Sequence, residues 1–552
     1  MKLIKFFLLL LSFIIINGCA NQLPPSGGPP DKIPPEIIIS YPVDGTTNFD
    51  DDHIAFEFSE YIDKRTFQEA VFISPKIEGK IEYDWSGTEV NIYFNSDLLK
   101  KNTTYTINLG TDIVDLNNRN KMLQSYTLTF STGDSIDYGE INGKIYSESK
   151  NNIMVYAYID NGDTINPIVR KPDYLTQSGK DGGFLLKGLK YGNYEIFAFS
   201  DELRDLLYNV GEDSYSVADT TVNLSFELQK IGNISFLMTT EDTIKPAISL
   251  ITMTDKNHIL IEFSEFVDST KLKTDNFYLF DSTDSKKISI DKLFKNSKLK
   301  TYFVTISDSL NADNEIYFVA DSIYDKSNNI KINDQLFLAQ NKSADTIKPK
   351  INKLITRYDE NKIDFADGYF TVNFNDGVNV NKIIDSSLIT DSKGELIKYK
   401  AERIDDATIL YTITQKLKPK TKYKFKILTD NVFDSAGNKI DSLYKADLLT
   451  INDLDFSGVS GTVNSKSNTK KVIEIYNKDN KYSQNISNNK FNFSRVIPGK
   501  YLMWMFEDTD SSGTYNYGKV YPKKNSEKFN VYPDTLNLRA RWPVGDIEFD
   551  VN

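Results

Sequence analysis

At 552 residues the chain is too long for a single hydrophobic core, and a prior of about 150 residues per domain predicts three to five domains. Its residues are 40% hydrophobic, with 34 Phe and 32 Tyr against 3 Trp; this is the composition of folded, strand-rich material and not of a disordered chain. The 65 Lys and Arg against 77 Asp and Glu give a net charge of −12, which excludes a nucleic-acid binder needing a basic face and a protein drawn electrostatically to anionic lipid.

The chain begins Met1-Lys2-Leu3-Ile4-Lys5, followed by an uncharged apolar run from Phe6 to Ile16 and then Asn17-Gly18-Cys19-Ala20. Two lysines, a short apolar core and a small residue before the cleavage point predict a secretory signal peptide over residues 1–18; a spanning helix needs roughly 20 apolar residues. Cys19 is the only cysteine. A cysteine at that point can have its thiol alkylated with diacylglycerol and its freed amine acylated. The segment resembles a bacterial lipobox, with Ile16 and Asn17 where that pattern usually has Leu and Ala or Ser. The alternative is an ordinary leader with an incidental cysteine. Lipidation at Cys19 is the expectation, with the membrane as a partner through the acyl chains. Ala20 in place of Asp, by resemblance to the enterobacterial sorting rule, implies the outer membrane. Loss of Lys2 and Lys5 with the leader takes the net charge from −12 to −14. No cysteine remains for an internal disulfide, so each domain must be held by its own core.

Residues 19–34 form the lipidated cysteine and a Pro/Gly-rich tether, Leu23-Pro24-Pro25-Ser26-Gly27-Gly28-Pro29-Pro30, with nothing to bury. The tether ends in a recurring phrase. Ile33-Pro34-Pro35-Glu36-Ile37 is echoed by Ile244-Lys245-Pro246-Ala247-Ile248 and Ile347-Lys348-Pro349-Lys350-Ile351, the last two preceded by Asp242-Thr243 and Asp345-Thr346. After each comes an alternating strand with an acidic end: Ile54 to Glu60 with Phe58-Ser59-Glu60, Ile259 to Glu265 with Phe263-Ser264-Glu265, and Phe370 to Asp376 with Phe374-Asn375-Asp376. A second strand of period two (Thr104 to Leu109, Glu315 to Val319, Lys422 to Ile427) leads to a polar turn beginning at Asp115, Asp325 or Asp434. The same signals in the same order predict three copies of one domain of about 100 residues, at 35–133, 244–342 and 347–452. These features resemble the SbsA-type bacterial Ig-like domain of S-layer proteins, with the third copy departing most.

Between and after these copies lie two segments that match each other. Ile141-Asn142-Gly143 corresponds to Val459-Ser460-Gly461, and Phe184, Leu189, Gly192-Asn193-Tyr194 and Asp201 correspond to Phe493, Ile497, Gly499-Lys500-Tyr501 and Asp508. An opening Gly turn, a Gly-x-Tyr hairpin and an aromatic strand resemble transthyretin-like, CnaB-type prealbumin sandwiches, at 136–236 and 453–552. The expected fold is all-β: five tandem β-sandwiches, three Ig-like and two transthyretin-like, with no substantial helix. The whole pattern resembles Ig-like lipoproteins of Bacteroidota. The resemblance implies a non-enzymatic cell-envelope lipoprotein, a membrane-anchored rod acting as spacer or protein-interaction scaffold.

Few residues can carry chemistry. His53 and His258 are the only histidines. They occupy one repeat position, where the third copy has Tyr369, and read as strand-start packing residues, not zinc ligands or bases. Glu57, Glu60, Glu262 and Glu265 would suit carboxylate-only hydrolysis, but they recur once per sandwich and no catalytic pair emerges. The expectation is no enzyme, no catalytic residue and no cofactor site, with carboxylate hydrolase as a distant alternative. Asp508-Thr509-Asp510-Ser511-Ser512-Gly513 begins like a calcium loop, but Lys519 stands where an EF-hand needs Glu; Asp508 and Asp510 are retained as candidate calcium ligands beside the reading of a polar hairpin turn. Asp50-Asp51-Asp52 reads as a solvated turn. Tyr515, Tyr517, Tyr521 and Trp542 are the best concentration of aromatics for a glycan-binding face, the basis of an adhesin alternative centred on the C-terminal sandwich.

Overall fold

The computed structural model describes residues 30–148, 153–358, 361–430, 432–440, 443–465 and 467–551. The predicted signal peptide, Cys19 and the tether up to residue 29 lie outside the described residues. The fold is all-β. Among the described residues the α-helices are Lys64–Ala70, capped by Asp63 accepting from Arg65 N and Thr66 N, and Val380–Asp385, capped by Asn379. No helix there is long and apolar enough to cross a membrane.

The chain divides into two compact units. One holds residues up to 165, 170–200 and 220–237; the other holds 166–169, 201–219 and everything from 238 on. In the first unit a four-stranded sheet runs in the order Ile37–Tyr41, His53–Phe58, Glu89–Tyr93, Glu82–Ser86, facing a sheet of Val71–Ser74, Thr104–Leu109 and Tyr126–Ser131. The alternation Ile54, Phe56, Phe58 is buried completely, as a period-two strand packed on one face requires. Thr104–Leu109 departs from the expected alternation, because all six residues are buried. Its second face packs under the neighbouring sandwich, where Asn108 Nδ2 donates to Thr176 Oγ1 at 3.0 Å.

In the second unit the order recurs twice: Ile248–Met253, His258–Phe263, Thr301–Thr305, Lys292–Lys295, and then Ile351–Thr356, Tyr369–Phe374, Thr408–Ile413, Tyr399–Asp405. All three copies carry a register irregularity at the start of the first strand, between Ile37 and Ile39, Ile248 and Leu250, and Ile351 and Lys353. Each lies just after the repeated proline, which cannot donate to a ladder.

The two other segments share a different topology. Gly139–Tyr146 pairs antiparallel with Gly183–Leu189 and parallel with Lys230–Leu237. Ser457–Asn464 does the same with Lys490–Val496 and Val544–Asp550. Here the expectation of an opening glycine turn is corrected. Gly143 and Gly461 sit inside strands, where an added Cβ would fall 1.9 Å from Ile234 O and 2.1 Å from Ile547 O. These glycines permit close approach of the parallel neighbour. The expected Gly-x-Tyr hairpin is corrected as well: Gly183–Leu189 and Gly192–Phe199 lie in different sheets, as do Lys490–Val496 and Gly499–Glu507, so the turn crosses from one sheet to the other. Tyr194 and Tyr501 are each 1% exposed, and their hydroxyls return to donate to Lys190 O and Ile497 O, both at 2.8 Å.

Candidate functional site

The three repeated sequence signals converge in space. In each Ig-like copy the linker aspartate closes a turn by accepting from the backbone two residues on: Asp31 from Ile33 N at 2.9 Å, Asp242 from Ile244 N at 3.1 Å, Asp345 from Ile347 N at 2.9 Å. The polar residue at the end of the alternating strand then anchors the segment after the linker. Ser59 Oγ accepts from Glu36 N, Ser264 Oγ from Ala247 N and Asn375 Oδ1 from Lys350 N. Finally, the asparagine of the late turn donates to the linker aspartate's carbonyl: Asn120 to Asp31 at 3.1 Å, Asn329 to Asp242 at 2.9 Å, Asn438 to Asp345 at 3.3 Å. The same clamp is built three times.

Each clamp gathers three carboxylates, from the linker, the strand end and the late turn. In the second copy Asp242, Glu265 and Asp325 have oxygens within 4.8 Å of one another; in the third, Asp345, Asp376 and Asp434 do. In the first copy Glu60 is pushed upward by burial and by the charges of Asp115 and Asp31. Glu265 is raised by burial, Asp242 and Asp325, with Lys300 opposing. The acids singled out for hydrolysis, Glu60 and Glu265, therefore belong to separate clamps. Glu57 and Glu262 point from strand positions paired with Glu89 and Thr301 and join neither triad.

His258 starts its strand as expected, and its ring does more than pack. Nδ1 lies 3.0 Å from Asp255 Oδ1, and Nε2 lies 2.9 Å from Asp376 Oδ1, in the triad of the next Ig-like copy. Burial opposes its charging, but the hydrogen bonds and charges of Asp376 and Asp255 prevail and hold the imidazole at a pKa of about 9. His53, the repeat equivalent, stacks on Tyr41 at 5.1 Å, lies 5.4 Å from the Tyr93 ring, and has its Nδ1 3.3 Å from Asp52. No sequence signal linked His258 to an acid 118 residues away.

The calcium-loop candidates are brought together, with an addition that the sequence did not reveal. Asp508 and Asp510 cluster with Glu527, which is 3% exposed. Their oxygens are engaged internally. Lys470 Nζ lies 2.8 Å from Asp508 Oδ2, Asp510 accepts from Ser512 N, and Glu527 accepts from Thr509 N and Asn516 N. Lys470 foremost holds Asp508 below the usual carboxylate range, and Ser512 does so for Asp510. This is the bonding of a tightly organised polar turn. Of the aromatic set, Tyr515 is packed among Trp504, Phe506, Tyr517 and Phe529, leaving Trp542, at 73% exposure, as the open indole.

Comparison with known proteins agrees with the repeat. A family model described as bacterial Ig-like domain matches residues 31–132 and 345–458. Both stretches are similar to bacterial Ig-like domains. The segment 244–342 lies outside both matches, yet it has their strand order, early register shift and clamp. A search of curated protein sequences gave no match. Among solved structures, the N-terminal part of the bacterial S-layer protein SbsC aligns at 14% identity over 38% of this chain and 45% of that one, with a TM-score of 0.17. SbsC domains 1–6 align at 10% identity over 92% and 67%, with a TM-score of 0.15. The titin domains Z1Z2 in complex with telethonin align at 11% over 38% and 97%, with a TM-score of 0.14. This chain thus spans under half of the first of these structures.

Proposed function

We propose that this protein is a non-enzymatic cell-envelope lipoprotein, held by acyl chains on Cys19, whose successive β-sandwiches serve as a spacer and protein-interaction scaffold. The observation that carries the reading is the sequence order itself: a leader ending at the only cysteine, then a Pro/Gly tether, then repeated Ig-like domains. The structure supports a scaffold role in a second way. The acids that could have served catalysis are dispersed one clamp at a time, and each clamp is tied to a linker by hydrogen bonds. Sandwiches host many unrelated functions, so the reading rests on these features and not on the fold class.

Replacement of Cys19 with Ala is the direct test. The wild-type chain, expressed in a bacterial host with its own leader, is expected to partition into detergent phase and to take up labelled fatty acid. The Cys19→Ala chain is expected in the aqueous phase without label. Membrane retention of that variant, or labelling of it, would overturn the anchor.

A further inference from the structure

The turn at residues 539–542, near the end of the C-terminal sandwich, carries three side chains that the fold leaves unengaged. Trp542 is 73% exposed. Among the described residues no aromatic ring packs on it, whereas Trp504 lies among Phe506, Tyr515 and Phe529 and Trp85 meets Phe67 edge-on. Arg539 and Arg541 are also exposed, and neither pairs with a carboxylate among the described residues. Arginines elsewhere are engaged: Arg65, Arg119, Arg170, Arg403 and Arg495 pair with carboxylates, and Arg357 lies over the Tyr482 ring at 4.7 Å. The turn holds its three groups in place. Arg539 and Trp542 form an antiparallel bridge pair, which sets their side chains on one face with Cβ atoms about 5 Å apart. Leu536 and Leu538 are buried, so by strand alternation that face is the outer one. Arg541 stands at a φ of 71°, left-handed where a turn ordinarily takes Gly or Asn. Its N donates to Phe456 O at 2.9 Å, and Ser457 Oγ donates to Trp542 O at 3.1 Å, tying the turn to the start of the sandwich.

We propose that Trp542, Arg539 and Arg541 form a binding site for an acidic saccharide, a sugar ring bearing a carboxylate. The site gives the scaffold a ligand and is independent of the anchor at Cys19. The electron-rich face of an indole attracts the C–H bonds on the flat side of a pyranose, and an arginine fork matches a carboxylate with two parallel hydrogen bonds. Arg539, beside the indole, is placed to pair with the carboxylate of a ring stacked on Trp542. Arg541, in the turn itself, adds a second charge for a chain of such units. A protein partner would need an apolar core within an interface of roughly 800 Å² per side. Here a single ring stands between two charges, with the neighbouring leucines turned inward. Because hydrogen bonds already fix the turn, binding incurs little ordering cost.

The full mature chain carrying Cys19→Ala, which keeps a failure of the anchor separate, tests the site by calorimetric titration. The probes are tetragalacturonate, uncharged maltotetraose, inorganic phosphate and vesicles of anionic phospholipid. Tetragalacturonate is expected to bind with a Kd of about 0.1–1 mM, and about tenfold or more tighter than maltotetraose or phosphate. Trp542→Ala should weaken binding about tenfold, as truncation of a Trp anchor does. Arg541→Gly removes the charge and suits the left-handed turn, so it should fold as well as the parent chain and yet bind roughly fivefold more weakly, as should Arg539→Gln. Lys478→Gln, which removes a charge from another exposed loop of the same sandwich, should bind like the parent. Equal affinity for maltotetraose, tighter binding to phosphate or to the vesicles, or no binding of tetragalacturonate up to about 10 mM would each overturn the site. So would full affinity in both Trp542→Ala and Arg541→Gly.

Discussion

His258 is the residue at which position and chemistry part. Its place at the head of an alternating strand was legible, since His53 and Tyr369 fill the same repeat position. Its role was not, because Asp376 reaches it only when two sandwiches fold and meet. The clamp acids make the same point: the linker Asp, strand-end Glu and late-turn Asp are three visible motifs with no sequence signal that they share a site. A consequence follows for pH. The folded pKa of about 9 is raised above the ordinary 6.5, so the stabilisation is complete below about pH 6.5 and is lost as pH rises through 9. The groups facing the ring are Asp255, Asp345 and Asp376, with Phe303 at its edge. With only two histidines in the chain, proton NMR of the imidazoles reads this directly: His258 is expected to titrate near 9, and an apparent value near 6.5 would refute the ion pair. His258→Gln should cost on the order of 2–3 kcal/mol at pH 7 and progressively less towards pH 10.

Strands were the most legible elements, because Ile54-Ala55-Phe56-Glu57-Phe58 and its counterparts alternate along a half-buried sheet. Parallel pairing was not legible. The partners of Gly139–Tyr146 and Ser457–Asn464 lie far along the chain, and a strand's own pattern does not state its neighbour's direction. The glycines misread as turns are the trace of that pairing. Gly461→Ala would place a methyl group 2.1 Å from the backbone oxygen of Ile547, an overlap that only backbone movement can relieve. A loss of about 2–4 kcal/mol is expected, the range of severe core strain. Gly545, in the adjoining strand, has its nearest neighbour, Ser460 Oγ, at 3.7 Å, and Gly545→Ala should stay within about 0.5 kcal/mol of wild type. Hydrogen exchange across 457–464 and 544–550 compares the two. Equal protection in both variants would show that the parallel approach is looser than these distances imply.

At the scale of the molecule, the absence of internal cysteines leaves stability to hydrophobic cores. Separate buried clusters fall within residues 49–130, 248–338 and 459–549. The third Ig-like copy is different. Its cluster, from Ile363 to Leu448, also includes Phe294 from the second copy. Around that ring, Leu293 N donates to Asp406 Oδ2 at 2.8 Å, Asp406 N donates to Leu293 O at 3.3 Å, and Thr305 and Ser435 hydroxyls meet at 2.8 Å. With the His258–Asp376 pair, this makes a shared boundary that neither copy can keep alone. Opening of the third copy should therefore expose part of the second, so that the two behave as one cooperative unit. Ile409, wholly buried in the third core, provides the perturbation: Ile409→Ala removes packing worth roughly 2–5 kcal/mol. Hydrogen exchange should then rise in 369–374 and 408–413 and, through the boundary, in 292–295 and 301–305. Residues 53–58 and 104–109, which belong to the other compact unit, should exchange as in the wild type. Faster exchange confined to the third copy would show that Phe294 and His258 touch the neighbouring domain without coupling to it, and the two copies would then unfold independently.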